Sequence, residues 1–393
     1  MLFDYKKSIL LERCIENLLS MKKNDVLLDL INAKSKSVEF VCIYIAELII
    51  SMEKSKFLEA RKIYKNNSKY IKSYSYELDI AFNLMLERKY IEARKCIFDL
   101  LSIHSDDIYL FYLCHMLEFN SSLTRDMMQS LSLVKIKKTS KFYPYFKGIQ
   151  SFILNENRFY KNAYIAAKES LKFNKLDIYA IHALCHYYHD TSKHREGKEF
   201  MEQMYDLWKN NYSMRIHLFW HYALFLIYTN EIGDKIENIF CNIRSKNIEN
   251  GLEDLDISSF IFRLFMLNDM NVDFLKSELA NIVDNWNNEN LGFYFFNDFH
   301  ASLVFSMANK FDLLDMVIKK SKYSFPRMYY KEKVALLRSL EFICLGKYKD
   351  VVNILEVFIK KDVYSFMGGS NAQRSIIFDI FNKAKMEVEN ETR

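Results

Sequence analysis

Turn-forming residues are scarce in this chain: 8 glycines and 2 prolines serve 393 residues. A β-rich or doubly wound protein of this length needs many more of them for its tight turns. The expectation is therefore an all-α protein of long helices joined by short polar turns, with over about 65% helix and no sheet of three or more strands. Long apolar runs are missing too. No window approaches about 18 uninterrupted apolar residues, so no membrane-spanning segment is expected. The first residues, MLFDYKKSILLERCIENLL, are broken by charge every few positions and read as an amphipathic helix, not a signal peptide. Cysteines are unpaired in pattern. The seven, at 14, 42, 96, 114, 185, 241 and 344, include no CxxC, which fits reduced thiols in a cytoplasmic protein.

Charge of one sign is lacking as well. A net charge of +5 with both signs interleaved is too mild for a nucleic-acid surface. The densest basic run, Lys135, Lys137, Lys138 and Lys141, reads as a solvated connection. No GxxxxGK[ST] or GxGxxG phosphate loop and no GxSxG elbow occurs, and Met367-Gly368-Gly369-Ser370 reads as a turn.

What the chain does have is hydrophobic material, half of all residues, with 32 Phe and 26 Tyr. It also has internal repeats. KFLEARKIY (56–64) and KYIEARKCI (89–97) share one pattern, and RFYKNAYIA (158–166) puts Ala163 two such intervals beyond Ala93. HREGKEFM (194–201) puts Gly197 one interval further on, and KYKDVVNIL (347–355) is a weaker match. DIYLFYLCH (107–115) answers DIYAIHALCH (177–186), again across two intervals. A period of about 34 residues with a small residue at one place is the mark of tetratricopeptide-type helical pairs. Ala60, Ala93, Ala163 and Gly197 would let paired helices approach closely, and Asp107 and Asp177 would cap the helices that follow them.

The sequence reading is a single right-handed solenoid with a concave binding face. It divides into capping helices (1–50), repeats (51–144), a motif-rich core (145–310) and C-terminal repeats with a cap (311–393). The best candidate break is Ser140 to Pro144.

Between about 145 and 310 the residues resemble a particular family. Phe146-Lys147-Gly148 is followed by DIYAIHALCHY (177–187), Arg195-Glu196-Gly197, Trp208, HLFWHYALF (217–225), DISSFIFRL (256–264) and FNDFHA (296–301). In order and spacing these are similar to the tetratricopeptide repeat protein 38 family, with its DxWAxHAxAH, EG, Trp, HNxWHxALF, DASSLLxRL and FNDxHA. The resemblance covers that span directly, and the flanking repeats are compatible with it. It implies the fold and a pocket position, but no particular reaction. Tyr179 stands where the family has Trp, and Leu218 replaces an Asn beside His217, which implies a different ligand.

The chemistry-bearing residues concentrate there. His182 and His186 are four apart and share a helix face, which His189 continues; His217 and His221 repeat the spacing. Asp256, Arg263, Asp298 and His300 complete an expected single pocket. Its leading use is binding a small molecule or peptide without metal, with Arg263 gripping an acid and His182, His217 and His300 exchanging hydrogen bonds. A metal-dependent enzyme is the first alternative, with zinc or iron on His182, His186, His217, His221 and His300, the last aided by Asp298. Against it, HxxxH lacks the Glu of HExxH, and no ExxH pairing occurs. A protein-interaction scaffold is the second alternative, with plain core histidines. Arg263 needs a carboxylate from another helix, Asp298 or Asp256 being the first choices. Asp254 or Asp256 is expected to cap the helix near Ile257, and Asn297 or Asp298 the one through Ala301. Trp208 and Trp220 read as core.

Overall fold

The computed structural model describes residues 2–3, 8–25, 27, 37–244, 254–267, 272–286, 290–361 and 364–391. Among these, 78% are helical and no strand forms. A lone bridge joins Tyr294 to Phe325. The chain divides into two compact units, Met1–Leu218 and Phe219–Arg393. The division falls inside the 145–310 span.

The first unit carries α1 (Ile9–Leu19), α2 (Val38–Ile50), α3 (Lys54–Tyr74), α4 (Tyr76–Leu86), α5 (Tyr90–Ile103), α6 (Ile108–Asn120), α7 (Thr124–Leu133), α8 (Tyr143–Glu156), α9 (Tyr160–Phe173), α10 (Ile178–Asp190), α11 (His194–Gln203) and α12 (Tyr205–Trp208). Helix α13 (Arg215–Tyr228) runs unbroken through the division. The second unit follows with α14 (Ile236–Ile243), α15 (Leu255–Leu267), α16 (Val272–Asn285), α17 (Phe295–Met307), α18 (Phe311–Ser321), α19 (Tyr330–Cys344), α20 (Tyr348–Lys361), α21 (Asn371–Arg374) and α22 (Ile376–Glu391).

Packing in the first unit follows sequence order. From α2 to α11 each helix lies against the next, and α8 also lies against α10. The small residues sit at these contacts: Ala60, Ala93 and Ala163 are fully buried, and Gly197 is buried. At the α8–α9 crossing the Ser151 hydroxyl donates to the Ala163 carbonyl at 2.8 Å, an approach that a larger side chain would block.

The short turns within successive helical pairs are closed by residues with positive φ: Arg88, Ser122, Arg158 and Ser192. Each stands between the first and second helix of its pair, so these residues recur at close to the sequence period. None is glycine, although the left-handed region costs an L-residue about 1–2 kcal/mol. This explains how so few glycines suffice. The turn is held by its bonds instead, as where the amides of Arg88 and Lys89 donate to the carbonyls of Met85 and Leu84, both at 2.9 Å.

Asp107 and Asp177 occupy their expected cap positions. The Asp107 carboxylate accepts from the amides of Tyr109 and Leu110, and that of Asp177 from Tyr179, each at 3.1 Å. Burial pushes their pKa values up, to about 6 and about 7, against the lowering effect of the cap bonds. A Cβ on Gly148 would lie 2.6 Å from Asp177 Oδ2, so glycine there lets α8 pass the start of α10.

In the second unit α17 is the central element, touching α15, α16, α18 and α19, while α22 packs on α15 and α20. Lys333 is fully buried and donates to the carbonyls of Ser321 (3.1 Å), Ser324 (2.9 Å) and Pro326. Three acceptors replace the water that an ammonium loses.

Candidate metal centre

Helix α10 forms because Asp177 caps it and its next thirteen residues include no Gly or Pro. His182 and His186 are one turn apart on its buried face. Helix α13 presents His217 and His221 in the same way. One ligand nitrogen from each of these four histidines lies within 4.8 Å of the other three. Three are buried and His217 is half-buried. No other such group of three or more His, Cys, Asp or Glu occurs among the described residues.

The closest pair is His182 Nε2 and His186 Nε2, 2.9 Å apart, one donating and the other accepting. Zinc–imidazole bonds of about 2.0–2.1 Å place tetrahedral ligand nitrogens about 3.3 Å apart. The distances present, 2.9 Å for this pair and none above 4.8 Å, bracket that value. The His182 and His217 rings meet at 5.0 Å between centroids. The His182 pKa is driven well below its ordinary value by burial first, then by the His186 and His217 imidazoles beside it. A neutral imidazole with a free lone pair is the form that binds metal.

Helix α8 supplies two residues that the sequence reading passed over. Phe152 stacks on the His182 ring (5.6 Å, 19°) and meets His186 edge-on (5.0 Å, 87°). Glu156, one turn on, places Oε1 3.8 Å from His186 Nδ1, with its side chain 2% exposed. The available signal was their i, i+4 spacing on a helix that packs against α10. A third overlooked feature is the buried pair of His115 Nε2 and the Tyr179 hydroxyl, 2.6 Å apart. Tyr179 also touches Phe152 and His182 edge-on.

Of the other four expected residues none joins that group; Asp256, in the first turn of α15, and Arg263 both act electrostatically on His300. Asp298 Oδ1 accepts from the Gly292 amide at 2.8 Å and Oδ2 from the Ser324 hydroxyl, so that carboxylate holds two loops together. Nor is it a cap. Tyr294 stands at the N-cap of α17, which leaves Asn297 and Asp298 inside the first turn. His300 lies outside the four-imidazole group, and its Nδ1 is engaged with the Phe296 carbonyl at 2.8 Å. Burial lowers its pKa to about 4, with Asp256 raising it and Arg263 lowering it.

Arg263 finds its carboxylate on α22 and not on Asp298 or Asp256. Its Nε donates to Asp379 Oδ2 at 3.1 Å, while Ser259 and Ser375 (3.2 Å) accept from the other two nitrogens. Nothing in the primary sequence marks a residue 116 positions away as this partner. The guanidinium also lies 5.7 Å over the Trp220 ring, and Trp220 meets His221 at 4.9 Å. Asp254, at the start of α15, turns its carboxylate to Arg244 (3.0 Å) and Asn285 (2.9 Å). Trp208 is core, its indole N–H donating to the Met201 carbonyl at 2.9 Å. The Cys185 thiol is buried beside Met201 sulfur, and burial raises its pKa far from a reactive range.

Chemically, four imidazoles with no thiolate suit zinc, copper, iron or nickel, and not calcium or magnesium. Four protein ligands on a tetrahedral ion leave no position for a reacting water. No protein-family model matches the chain. No described helix is long and apolar enough to cross a membrane.

Proposed function

We propose that this protein is a tetratricopeptide-type helical-pair array that holds a divalent first-row transition metal ion on His182, His186, His217 and His221. The convergence of four imidazoles from α10 and α13 carries the reading. The repeat assignment rests on the sequence period of about 34 residues, the buried small residues at helix crossings and the evenly spaced left-handed turns. It is also what the resemblance to the tetratricopeptide repeat protein 38 family implies. With all four tetrahedral positions filled by protein, a zinc ion is held as a structural or regulatory group and not as a hydrolytic centre, whereas iron, copper or nickel of higher coordination number keeps a position open.

The test is metal analysis of protein purified without a histidine tag. The expected result is zinc, copper, iron or nickel near one equivalent, surviving gel filtration and lost in the His186→Ala, His221→Ala double variant. Binding to the folded state alone adds a few kcal/mol at ligand far above its dissociation constant, so a chelator lowers the melting temperature of the wild type only.

A metal-free pocket is the second reading, and the 2.9 Å His182–His186 bond favours it, since that pair satisfies itself without an ion. Under that reading the protein holds no stoichiometric metal. The chelator then changes nothing, and the substitutions cost only local packing.

A further inference from the structure

From the placement of Glu156 we infer that this carboxylate is the outer partner of the metal centre. It fixes His186 with Nδ1 protonated toward α8 and Nε2 open toward the ion. The inference rests on the four-histidine reading above and concerns how that site is tuned.

Three observations point to it. First, the two nitrogens of His186 face different groups: Nε2 faces His182 Nε2 at 2.9 Å, and Nδ1 faces Glu156 Oε1 at 3.8 Å. A ligating imidazole usually donates its second ring N–H to a carboxylate, which fixes the tautomer and raises the basicity of the ligating nitrogen. The separation is about 1 Å beyond a hydrogen bond.

Second, Glu156 stands where an acid is unfavourable on two counts. It is the last residue of α8, at the negative end of that helix's dipole, and its side chain is buried. A cation beyond His186 offsets both. Third, four imidazoles carry no charge, so a divalent ion on them alone would leave two uncompensated charges in an apolar setting walled by Phe152. The Glu156 carboxylate halves that excess without entering the coordination sphere.

The experiment titrates Co(II) into metal-stripped, tag-free protein and reads the visible ligand-field bands. Wild type, Glu156→Gln and Glu156→Asp are compared, with apo melting temperatures as the folding control. Gln keeps the shape but loses the charge, so its affinity for Co(II) falls about 10- to 100-fold. The tetrahedral band pattern persists, the apo melting temperature stays near wild type, and Asp recovers most of the loss.

Equal affinity in wild type and Glu156→Gln overturns the inference and leaves the metal site standing. A change of band pattern in Glu156→Gln also overturns it, since Glu156 is then itself a ligand. Absence of Co(II) binding by the wild type removes the four-histidine reading, and the inference with it. If Glu156→Gln does not fold, Glu156→Asp alone decides: its shorter side chain leaves a wider gap to His186, so binding must weaken measurably, by less than about tenfold, while the band pattern is kept.

Discussion

Substituting Gly148 by Ala tests whether the approach of α8 to the start of α10 is as close as the structure has it. The new Cβ would lie 2.6 Å from Asp177 Oδ2 and 3.1 Å from the Ala180 amide nitrogen. Asp177 cannot simply swing away, because Oδ2 accepts from the Ser170 hydroxyl and Oδ1 caps α10 through the Tyr179 amide. Overpacking of this kind costs about 1–3 kcal/mol, and loss of the cap about 1 kcal/mol. Removing a mid-helix glycine returns about 0.5–1 kcal/mol. The net expectation is a destabilisation of about 1–3 kcal/mol.

Urea unfolding followed by circular dichroism reads that value, and hydrogen exchange of the α10 amides assigns it to the right helix. A double-mutant cycle sharpens the test. In an Asp177→Ala background the carboxylate is gone, so adding Gly148→Ala costs within about 1 kcal/mol of nothing. A Gly148→Ala variant as stable as wild type, or one whose cost is the same with and without Asp177, refutes the reasoning.

Three further outcomes are expected. His115 is buried neutral with a pKa lowered to about 3, below its unfolded value near 6.5, so the stability it contributes is present above pH 6.5 and is lost as pH falls toward 3. The stability of His115→Gln relative to wild type therefore rises by about 1–2 kcal/mol between pH 6.5 and pH 5, measured by urea denaturation at both. Asp379→Ala strands the Arg263 guanidinium and costs about 3 kcal/mol, whereas Arg263→Met with Asp379→Leu stays within about 1 kcal/mol of wild type, as paired melting curves show. Lys333→Met leaves three buried carbonyls without their ammonium and costs about 2–4 kcal/mol, with exchange protection lost between Ser321 and Pro326.

The primary sequence by itself determined the helical class, the helix starts at Asp107 and Asp177, and the small residues at helix crossings. Each of these is local. Scarce glycine and proline, a cap residue and a fixed period act through neighbours in the chain, and they hold wherever the helices finally pack. It also determined that His182 pairs with His186 and His217 with His221, because four-residue spacing on a helix fixes a shared face.

Only the tertiary structure decided which of these faces meet. The two histidine pairs come together, while Asp298 is drawn off to Gly292 and Ser324, and His300 to its own helix's carbonyl. The partner of Arg263 proved to be Asp379 on α22, because a buried guanidinium takes the carboxylate that packing delivers and not the one nearest in a motif. Glu156 carries no motif at all. Its relation to His186 exists because α8 packs on α10, and packing between helices is a property of the whole chain that no single stretch of residues encodes.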